Sequence, residues 1–166
     1  MQSFHNKGIV HRDIKPDNIV QDREGRWKLC DLDTACPASS EEDAGAVSLF
    51  GTGIYLSPQL LHYFAGKTTK PKNLFAEEMY ALGCVFYALA FKKDVPWMDM
   101  PIDSDAGYKA RLGLRSQAEK AKNILSSKAS VMMNKIEYLK PLALWLLHPV
   151  STERPTIDEV CKKFVF

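Results

Sequence analysis

The chain has 166 residues, enough for one domain with a buried core, and its 46% hydrophobic and 25% charged residues are typical of globular proteins. The net charge of +2 gives no reason to expect a nucleic-acid or membrane partner, and no apolar run reaches the length of a membrane span. The four cysteines are scattered without metal-ligand spacing, so the default expectation is a cytoplasmic or nuclear protein.

The first third of the chain predicts a helix end and a β-hairpin. Residues 1–8 resemble the tail of a helix, which a glycine ends. Two short β-prone runs, residues 19–20 and 27–29, flank a turn at residues 24–25 and predict the hairpin. Residues 34–50 are small, polar and acidic, so they predict an exposed, mobile loop.

The rest of the chain predicts helices. Residues 76–91 are apolar on every face, which is typical of a helix in the middle of a core. Residues 92–107 predict a loop, and residues 108–134 a polar helical region. A second apolar helix is predicted over residues 136–149, and Thr156 is expected to cap a last short helix. The predicted fold class is therefore mainly α with a small β-hairpin.

Polar side chains near the start of the chain form a pattern with chemical meaning. Asp13, Lys15 and Asn18 lie close together in the sequence, and Asp31 follows the predicted hairpin. Phosphoryl transfer needs a carboxylate near the attacking hydroxyl, a cation near the moving phosphoryl group, and oxygen ligands for Mg²⁺. Asp13 fits the first role, Lys15 the second, and Asn18 with Asp31 the third. Each residue alone is more often a solvated loop side chain.

Several motifs in this order resemble eukaryotic protein kinases. Residues 11–18, H-R-D-I-K-P-D-N, match the catalytic loop, and Asp31 stands where a D-F-G motif is expected. Residues 51–58 resemble the end of an activation segment, residues 78–83 the start of the buried central helix, and residues 154–156 the R-P-T before the last helix. These motifs cover nearly the whole chain.

The resemblance implies a protein kinase domain of the serine/threonine type over residues 1–166. Residues 1–33 would hold the catalytic loop and the metal-binding hairpin, residues 34–59 the activation segment, and residues 76–166 the helical subdomain. This is the content of the large, C-terminal lobe. The sequence contains no G-x-G-x-x-G phosphate loop and no small-lobe strand lysine, so the N-terminal lobe is expected to be absent.

The resemblance also implies roles for the residues around the catalytic loop. Asp13 would be the catalytic base, and Lys15 would contact the γ-phosphate of ATP. Asn18 and Asp31 would bind Mg²⁺, and Val20 would lie under the adenine. A lysine two positions after the aspartate is typical of serine/threonine kinases.

Two further residues belong with the activation segment in this family. Arg12 would bind a phosphate on that segment, where Ser39, Ser40 and Ser48 are the available hydroxyls. Thr52 would hydrogen-bond near the catalytic aspartate and lysine, which is another serine/threonine feature.

Three positions depart from the family pattern. Residues 31–33, D-L-D, replace D-F-G, and the aspartate in the glycine position is expected to restrict the turn. Gln59 replaces a glutamate whose partner in the family corresponds to Arg154, so a weaker, neutral hydrogen bond is expected there. Glu78 replaces the aspartate that ties the central helix to the catalytic loop, and its additional methylene is expected to shift that loop.

The leading hypothesis is a serine/threonine kinase that transfers the γ-phosphate of Mg·ATP to a protein hydroxyl. The alternative is a pseudokinase or scaffold lobe, which binds partners without catalysis. The intact catalytic residues argue against it, and the missing lobe argues for it. A small-molecule phosphotransferase is a third hypothesis, but Arg12, Lys15 and residues 51–58 favour a protein kinase.

Two expectations concern the isolated chain. It should bind Mg·ATP weakly and transfer no phosphate, because nothing would cover the nucleotide. The face around Val20 and Leu32, normally covered by the other lobe, should expose apolar surface and bind a partner or the missing N-lobe.

Overall fold

The computed structural model describes residues 1–39, 53–102, 104–127 and 135–163 of the chain. Within these ranges it contains seven α-helices and two small antiparallel ladders of two strands each. The protein is therefore mainly α, as the sequence predicts.

The chain begins with one helical turn that leads into a short strand. α1 (Gln2–His5) ends as predicted, and Gly8 then takes a left-handed conformation (φ +72°) that is cheap for glycine. β1 (Ile9–Val10) follows and pairs antiparallel with β4 (Cys36–Pro37). The sequence predicted a mobile loop from residue 34 onward. The β4 pairing corrects this prediction for the start of the stretch, which it fastens to the domain, whereas residues 40–50 lie outside the described ranges.

The predicted hairpin is present. β2 (Ile19–Gln21) pairs antiparallel with β3 (Trp27–Leu29), and Ile19 lies opposite Leu29. Gly25 forms part of the connecting turn with a φ of +78°. The register places Asn18, which precedes β2, beside Cys30, which follows β3, at the open end of the hairpin.

A helix that the sequence analysis did not predict follows the segment at residues 53–57. α2 (Pro58–Phe64) has proline in its first turn, where a missing N–H does no harm. The Ser57 side chain caps it by accepting a hydrogen bond from the Leu60 N–H at 3.1 Å. The chain therefore enters a helix directly after Ser57.

α3 (Leu74–Phe91) is the predicted apolar helix, and the Asn73 side chain caps it by accepting from the Ala76 N–H at 3.1 Å. By length and hydropathy alone it could cross a membrane, which the sequence analysis did not anticipate. However, 56% of it is buried inside the domain, and its two glutamates are bound by partners there. A Cβ at Gly83 would lie 2.8 Å from the Leu146 Cβ, so glycine allows close helix contact at this point.

Four helices complete the domain. The predicted polar helical region is two helices, α4 (Asp105–Leu112) and α5 (Arg115–Ser126), separated by Gly113. α6 (Lys135–Leu146) is the second predicted apolar helix and packs against both α3 and α5.

The last helix, α7 (Ile157–Lys163), begins after Thr156 as predicted. The Thr156 Oγ1 accepts from the Glu159 N–H at 3.2 Å, and the Glu159 carboxylate accepts from the Thr156 N–H at 2.7 Å. These two bonds form a capping box, which satisfies N–H groups that a helix start otherwise leaves unpaired.

The core is built around α3 and α6, which contribute to two hydrophobic clusters. One cluster extends to α5 and α7, and the other to the residues after α3. The first contains Met79, Ala121, Leu125, Tyr138, Leu142, Trp145, Leu146, Ile157 and Val160. The second contains Tyr80, Cys84, Tyr87, Val95, Trp97, Leu114, Ala143 and Leu147. α3 is therefore the central helix of the domain, and the segments of the candidate site are attached to it.

Candidate active site

Three of the predicted site residues meet in the loop between β1 and β2. Lys15 Nζ donates to Asp13 Oδ2 at 2.6 Å, and Asn18 Nδ2 donates to the same oxygen at 2.9 Å. Asn18 also bonds the Asp13 main-chain oxygen at 2.9 Å, across a single 3-10 turn. The other carboxylate oxygen, Asp13 Oδ1, is buried and has no hydrogen-bond partner within the described ranges. One side of Asp13 is therefore fixed, and the other is an acceptor ready for a hydroxyl donor.

Lys15 lies in a negative environment. Its hydrogen bond to Asp13 is the main cause that raises the pKa of the ammonium, and the carboxylates of Asp31 and Asp17 raise it further. Partial desolvation acts in the opposite direction but is outweighed. Lys15 therefore remains a cation that can face a phosphate.

The hairpin brings Asp31 to the same end of the loop as Asn18. The Cys30 N–H donates to the Asn18 main-chain oxygen at 3.0 Å, which fixes the position of the next residue. Asp31 takes a left-handed φ of +61°, a conformation in which aspartate is among the least penalised residues. Its carboxylate is exposed. The strain expected at Asp33 is not observed, because the left-handed residue is Asp31.

Asn18 and Asp31 fit a magnesium ion in chemical type. Asn18 points its amide nitrogen at Asp13, which leaves its Oδ1 as an acceptor, and no donor in the described chain bonds the Asp31 carboxylate. Such hard oxygen ligands suit Mg²⁺. In the same part of the chain, no three His, Cys, Asp or Glu side chains cluster as metal ligands. An ion here would therefore need phosphate and water oxygens as well.

Glu78 holds to α3 the loop between β1 and β2, which is called the catalytic loop after the family motif that it resembles. Its Oε1 accepts from the main-chain N–H groups of His11 and Arg12, the latter at 2.6 Å. Its Oε2 lies 2.8 Å from His5 Nε2. The tie expected of an aspartate is thus formed by a glutamate. The buried His11 ring lies 3.0 Å from the Cys30 main-chain oxygen, which joins the loop to the hairpin.

Arg12, which precedes Asp13, has a left-handed φ of +68°. Its Nε donates to the Thr34 main-chain oxygen, and the Thr34 hydroxyl donates to the His11 main-chain oxygen at 2.8 Å. The two terminal guanidinium nitrogens have no acceptor among the residues that the structure covers. They are available to an anion on a neighbouring segment.

Other predicted residues are away from this cluster or outside the described ranges. Thr52, Ser40 and Ser48 lie outside them, so their roles stay predictions. Val20 on β2 is 41% exposed and Leu32 is 50% exposed, so the expected apolar surface is present.

A cavity of about 40 Å³ separates the catalytic loop from the segment at residues 53–56. Asp13 and Glu78 line one part of it, and Tyr55 and Leu56 line another. Burial is the main cause that raises the pKa of Tyr55 to about 12, so its hydroxyl stays protonated. Tyr55 is the tyrosine of the segment motif, but the sequence analysis did not select it as a site residue.

A buried ion pair fastens the end of that segment to α3. Arg154 Nη2 donates to Gln59 Oε1, which is the bond to a neutral acceptor that the sequence predicted. Arg154 Nη1 also donates to Glu77 Oε2 at 3.2 Å, and the Ser57 hydroxyl donates to the same Glu77 oxygen. Glu77 therefore supplies the carboxylate that Gln59 lacks. The sequence analysis missed Glu77, because no local pattern distinguishes it from its neighbour in the motif.

The comparisons with known proteins agree with this geometry. The family model described as the protein kinase domain matches residues 1–166. Serine/threonine-protein kinase PKH3 of Eremothecium gossypii is 35% identical over 92 residues, which are 52% of this chain and 12% of that protein. Human 3-phosphoinositide-dependent protein kinase 1 is 37% identical over 90 residues, 54% of this chain and 15% of that protein.

A more distant relative aligns over the full chain. Mitogen-activated protein kinase 16 of Arabidopsis thaliana is 27% identical over 183 aligned positions, which cover 100% of this chain and 31% of that protein. The chain thus spans less than a third of the length of each of these relatives.

Proposed function

Because the chain belongs to the protein kinase family, we propose that it is the C-terminal lobe of a serine/threonine protein kinase. The lobe would transfer the γ-phosphate of ATP to a hydroxyl of a protein substrate. The observation that carries this proposal is the state of Asp13. Lys15 and Asn18 bind one carboxylate oxygen, and the other oxygen is buried and unpaired in the part of the chain that the structure describes.

The reaction would proceed by proton transfer to that unpaired oxygen. Asp13 Oδ1 would accept the proton of the substrate hydroxyl. At the same time the oxygen of that hydroxyl would form a bond to the γ-phosphorus, and the bond between this phosphorus and ADP would break. Lys15 would face the negative charge of the transferred group. Asn18 and Asp31 would hold Mg²⁺, which supplies charge neutralisation at the phosphates when it is bound. Val20 would contact the adenine.

A protein, not a small molecule, is the proposed phosphate acceptor. The segment at residues 53–59 lines the same cavity as Asp13 through Tyr55 and Leu56, and side-chain bonds of Ser57 and Gln59 hold it there, as a docking surface for a polypeptide requires. The terminal guanidinium nitrogens of Arg12, which have no acceptor among the described residues, would bind a phosphate on the activation segment, and Thr52 would complete the catalytic cluster.

One observation favours a second candidate function, a scaffold lobe without catalysis. Val20 and Leu32 expose apolar side chains beside the proposed nucleotide position. Such a surface is a docking site for a partner or for an N-lobe. In this second function the same surface would bind a partner in place of ATP.

The test is phosphate transfer from Mg·ATP to serine, threonine and tyrosine peptides by the native gene product. We expect transfer to serine or threonine only, and a loss of roughly a hundredfold or more in Asp13→Asn, since general-base groups contribute factors of this size. A native product that transfers no phosphate would contradict the kinase proposal and leave the scaffold function.

Nucleotide binding by the 166-residue chain itself gives a second test. We expect calorimetry with Mg·ATP to show weak binding that Asp31→Asn removes. Asp99→Asn is the matched control, because it makes the same change at an exposed aspartate outside the hairpin. Tight binding, or equal effects of the two variants, would contradict the assigned nucleotide site.

A further inference from the structure

Arg111 on α4 is a buried cation that has no carboxylate partner among the described residues. It is 2% exposed, and all of its observed bonds go to main-chain oxygens. Nη2 donates to Gly53 at 3.2 Å, Nε to Leu56 at 3.1 Å and Nη1 to Gly107 at 2.9 Å. Two of these three bonds join the helix to residues 53–56, across more than 50 positions of sequence.

Trp97 binds the carbonyl that lies between those two. Its indole Nε1 donates to the Ile54 main-chain oxygen at 2.8 Å. The Arg111 guanidinium lies 4.8 Å from the centroid of the Trp97 ring, so the two side chains also stabilise each other. Three carbonyls of one short stretch, at Gly53, Ile54 and Leu56, are therefore bound by two side chains from outside the kinase motifs.

A buried guanidinium without a counter-charge is unfavourable, and burial accordingly lowers the pKa of Arg111. An apolar side chain of the same length would avoid this penalty. In the described chain, this cost is offset by the hydrogen bonds that the guanidinium donates to three main-chain oxygens. Arginine suits this task, because its planar guanidinium carries several donors in fixed directions.

We propose that Arg111 and Trp97 are positioning residues for the docking segment, residues 53–59, whose main chain they bind at residues 53–56. They fix its main chain at the cavity that Tyr55 and Leu56 share with Asp13. The assignment of docking to this segment rests on the proposed function, whereas the fixing of its main chain is a property of this chain alone. Because the anchors bind carbonyls, these three bonds use main-chain groups that every residue carries.

The test is amide hydrogen exchange of the 166-residue chain and four variants. Arg111→Met removes the donors and keeps an apolar side chain of similar length, and Arg111→Lys keeps the charge but not the fork of donors. Trp97→Phe removes the indole donor and keeps a ring beside Arg111. Lys109→Met is the matched control, since Lys109 is exposed on the same helix and loses the same charge.

The Leu56 N–H is the reporter, because it donates to the Gly53 oxygen that Arg111 also binds. We expect Arg111→Met to raise exchange in residues 53–60 by about tenfold or more, as the loss of charge-assisted bonds implies. Arg111→Lys and Trp97→Phe should give smaller local increases. In all three variants, the amide hydrogen exchange of α6 should equal that of α6 in the Lys109→Met control.

Two results would overturn the proposal. One is exchange in residues 53–60 that equals that of Lys109→Met. The other is an increase of equal size in α6, which would show that Arg111 supports the whole fold and positions no particular segment. If Arg111→Met does not fold, Arg111→Lys and Trp97→Phe decide between the same outcomes.

Failure of this proposal and failure of the proposed function give different results. A native gene product without phosphate transfer would contradict the kinase function while local exchange still responded to Arg111→Met. A kinase whose docking segment exchanges at the same rate in all four variants would contradict the positioning role alone.

Discussion

The catalytic loop and the docking segment are both held near the start of α3 by consecutive glutamates, but the two attachments differ in kind. Glu78 accepts from main-chain N–H groups of the catalytic loop. Glu77 instead binds two side chains, the hydroxyl of Ser57 and the guanidinium of Arg154. One attachment therefore uses groups that every residue carries, and the other depends on the identity of its partners.

This difference determines which side chains in each region remain available for other contacts. Because Glu78 binds the main chain, the side chains of His11 and Arg12 are left to make their own contacts with Cys30 and Thr34. The docking segment has no such freedom at Ser57, whose hydroxyl both binds Glu77 and caps α2. The two regions should therefore respond differently to substitution.

The largest effect is expected at Glu78. Glu78→Ala leaves two buried main-chain N–H groups without an acceptor, and we expect it to lower the free energy of unfolding by about 4 kcal/mol. Glu78→Gln keeps an oxygen of similar position and should lose about half as much. Urea denaturation at unchanged slope measures both values.

Equal losses in Glu78→Ala and Glu78→Gln would contradict the main-chain explanation. Such a result would assign the stability to the carboxylate charge, and hence to its contact with His5. Glu78 and Glu77 would then not differ in the way proposed, since neither would act mainly through main-chain groups.

The second prediction concerns Glu77. Glu77→Gln leaves the buried Arg154 without a counter-charge, and we expect a loss of about 3 kcal/mol in unfolding free energy. Gln59→Glu in the same background returns a carboxylate to the other terminal nitrogen of Arg154, and should recover a large part of the loss.

Gln59→Glu alone is the control, since it places a second carboxylate beside Glu77 and should not stabilise the wild-type chain. A double-mutant cycle on denaturation gives the coupling between the two positions. Additive effects, without recovery in the double variant, would show that Arg154 does not need a carboxylate at either position.

The sequence predicted the parts of the molecule that are made by local contacts. The bonds of Lys15 and Asn18 to Asp13 span at most five positions, so a short motif contains all of their participants. The hairpin, the apolar helix α3 and the Thr156 cap also follow from neighbouring residues. Each has a periodicity or a turn residue that identifies it.

The parts that the sequence did not predict depend on distant contacts. The ladder between β1 and β4 has only two residues in each strand, too few to show an alternating pattern. The bonds of Arg111 and Trp97 to the docking segment cross 43 to 58 positions, and neither side chain lies in a recognisable motif. Glu77 carries its role only because the helix turns it toward Ser57 and Arg154.

The smallest effect is expected at Ser57, and it measures the side-chain attachment most directly. Ser57→Ala removes the cap of α2 and the donor to Glu77, so we expect a loss of about 2 kcal/mol in unfolding free energy. Ser104→Ala is the matched control, because Ser104 caps α4 through the Gly107 N–H at 3.0 Å and donates to the Pro101 main-chain oxygen at an exposed site instead of to a buried acid. Its loss should be about 1 kcal/mol, the ordinary value of a helix cap. The difference between the two variants therefore reports the bond to Glu77, and it should become smaller in a Glu77→Gln background, where the acceptor is neutral. Equal losses in the wild-type background would mean that Ser57 serves α2 alone and that Arg154 by itself links Glu77 to the docking segment.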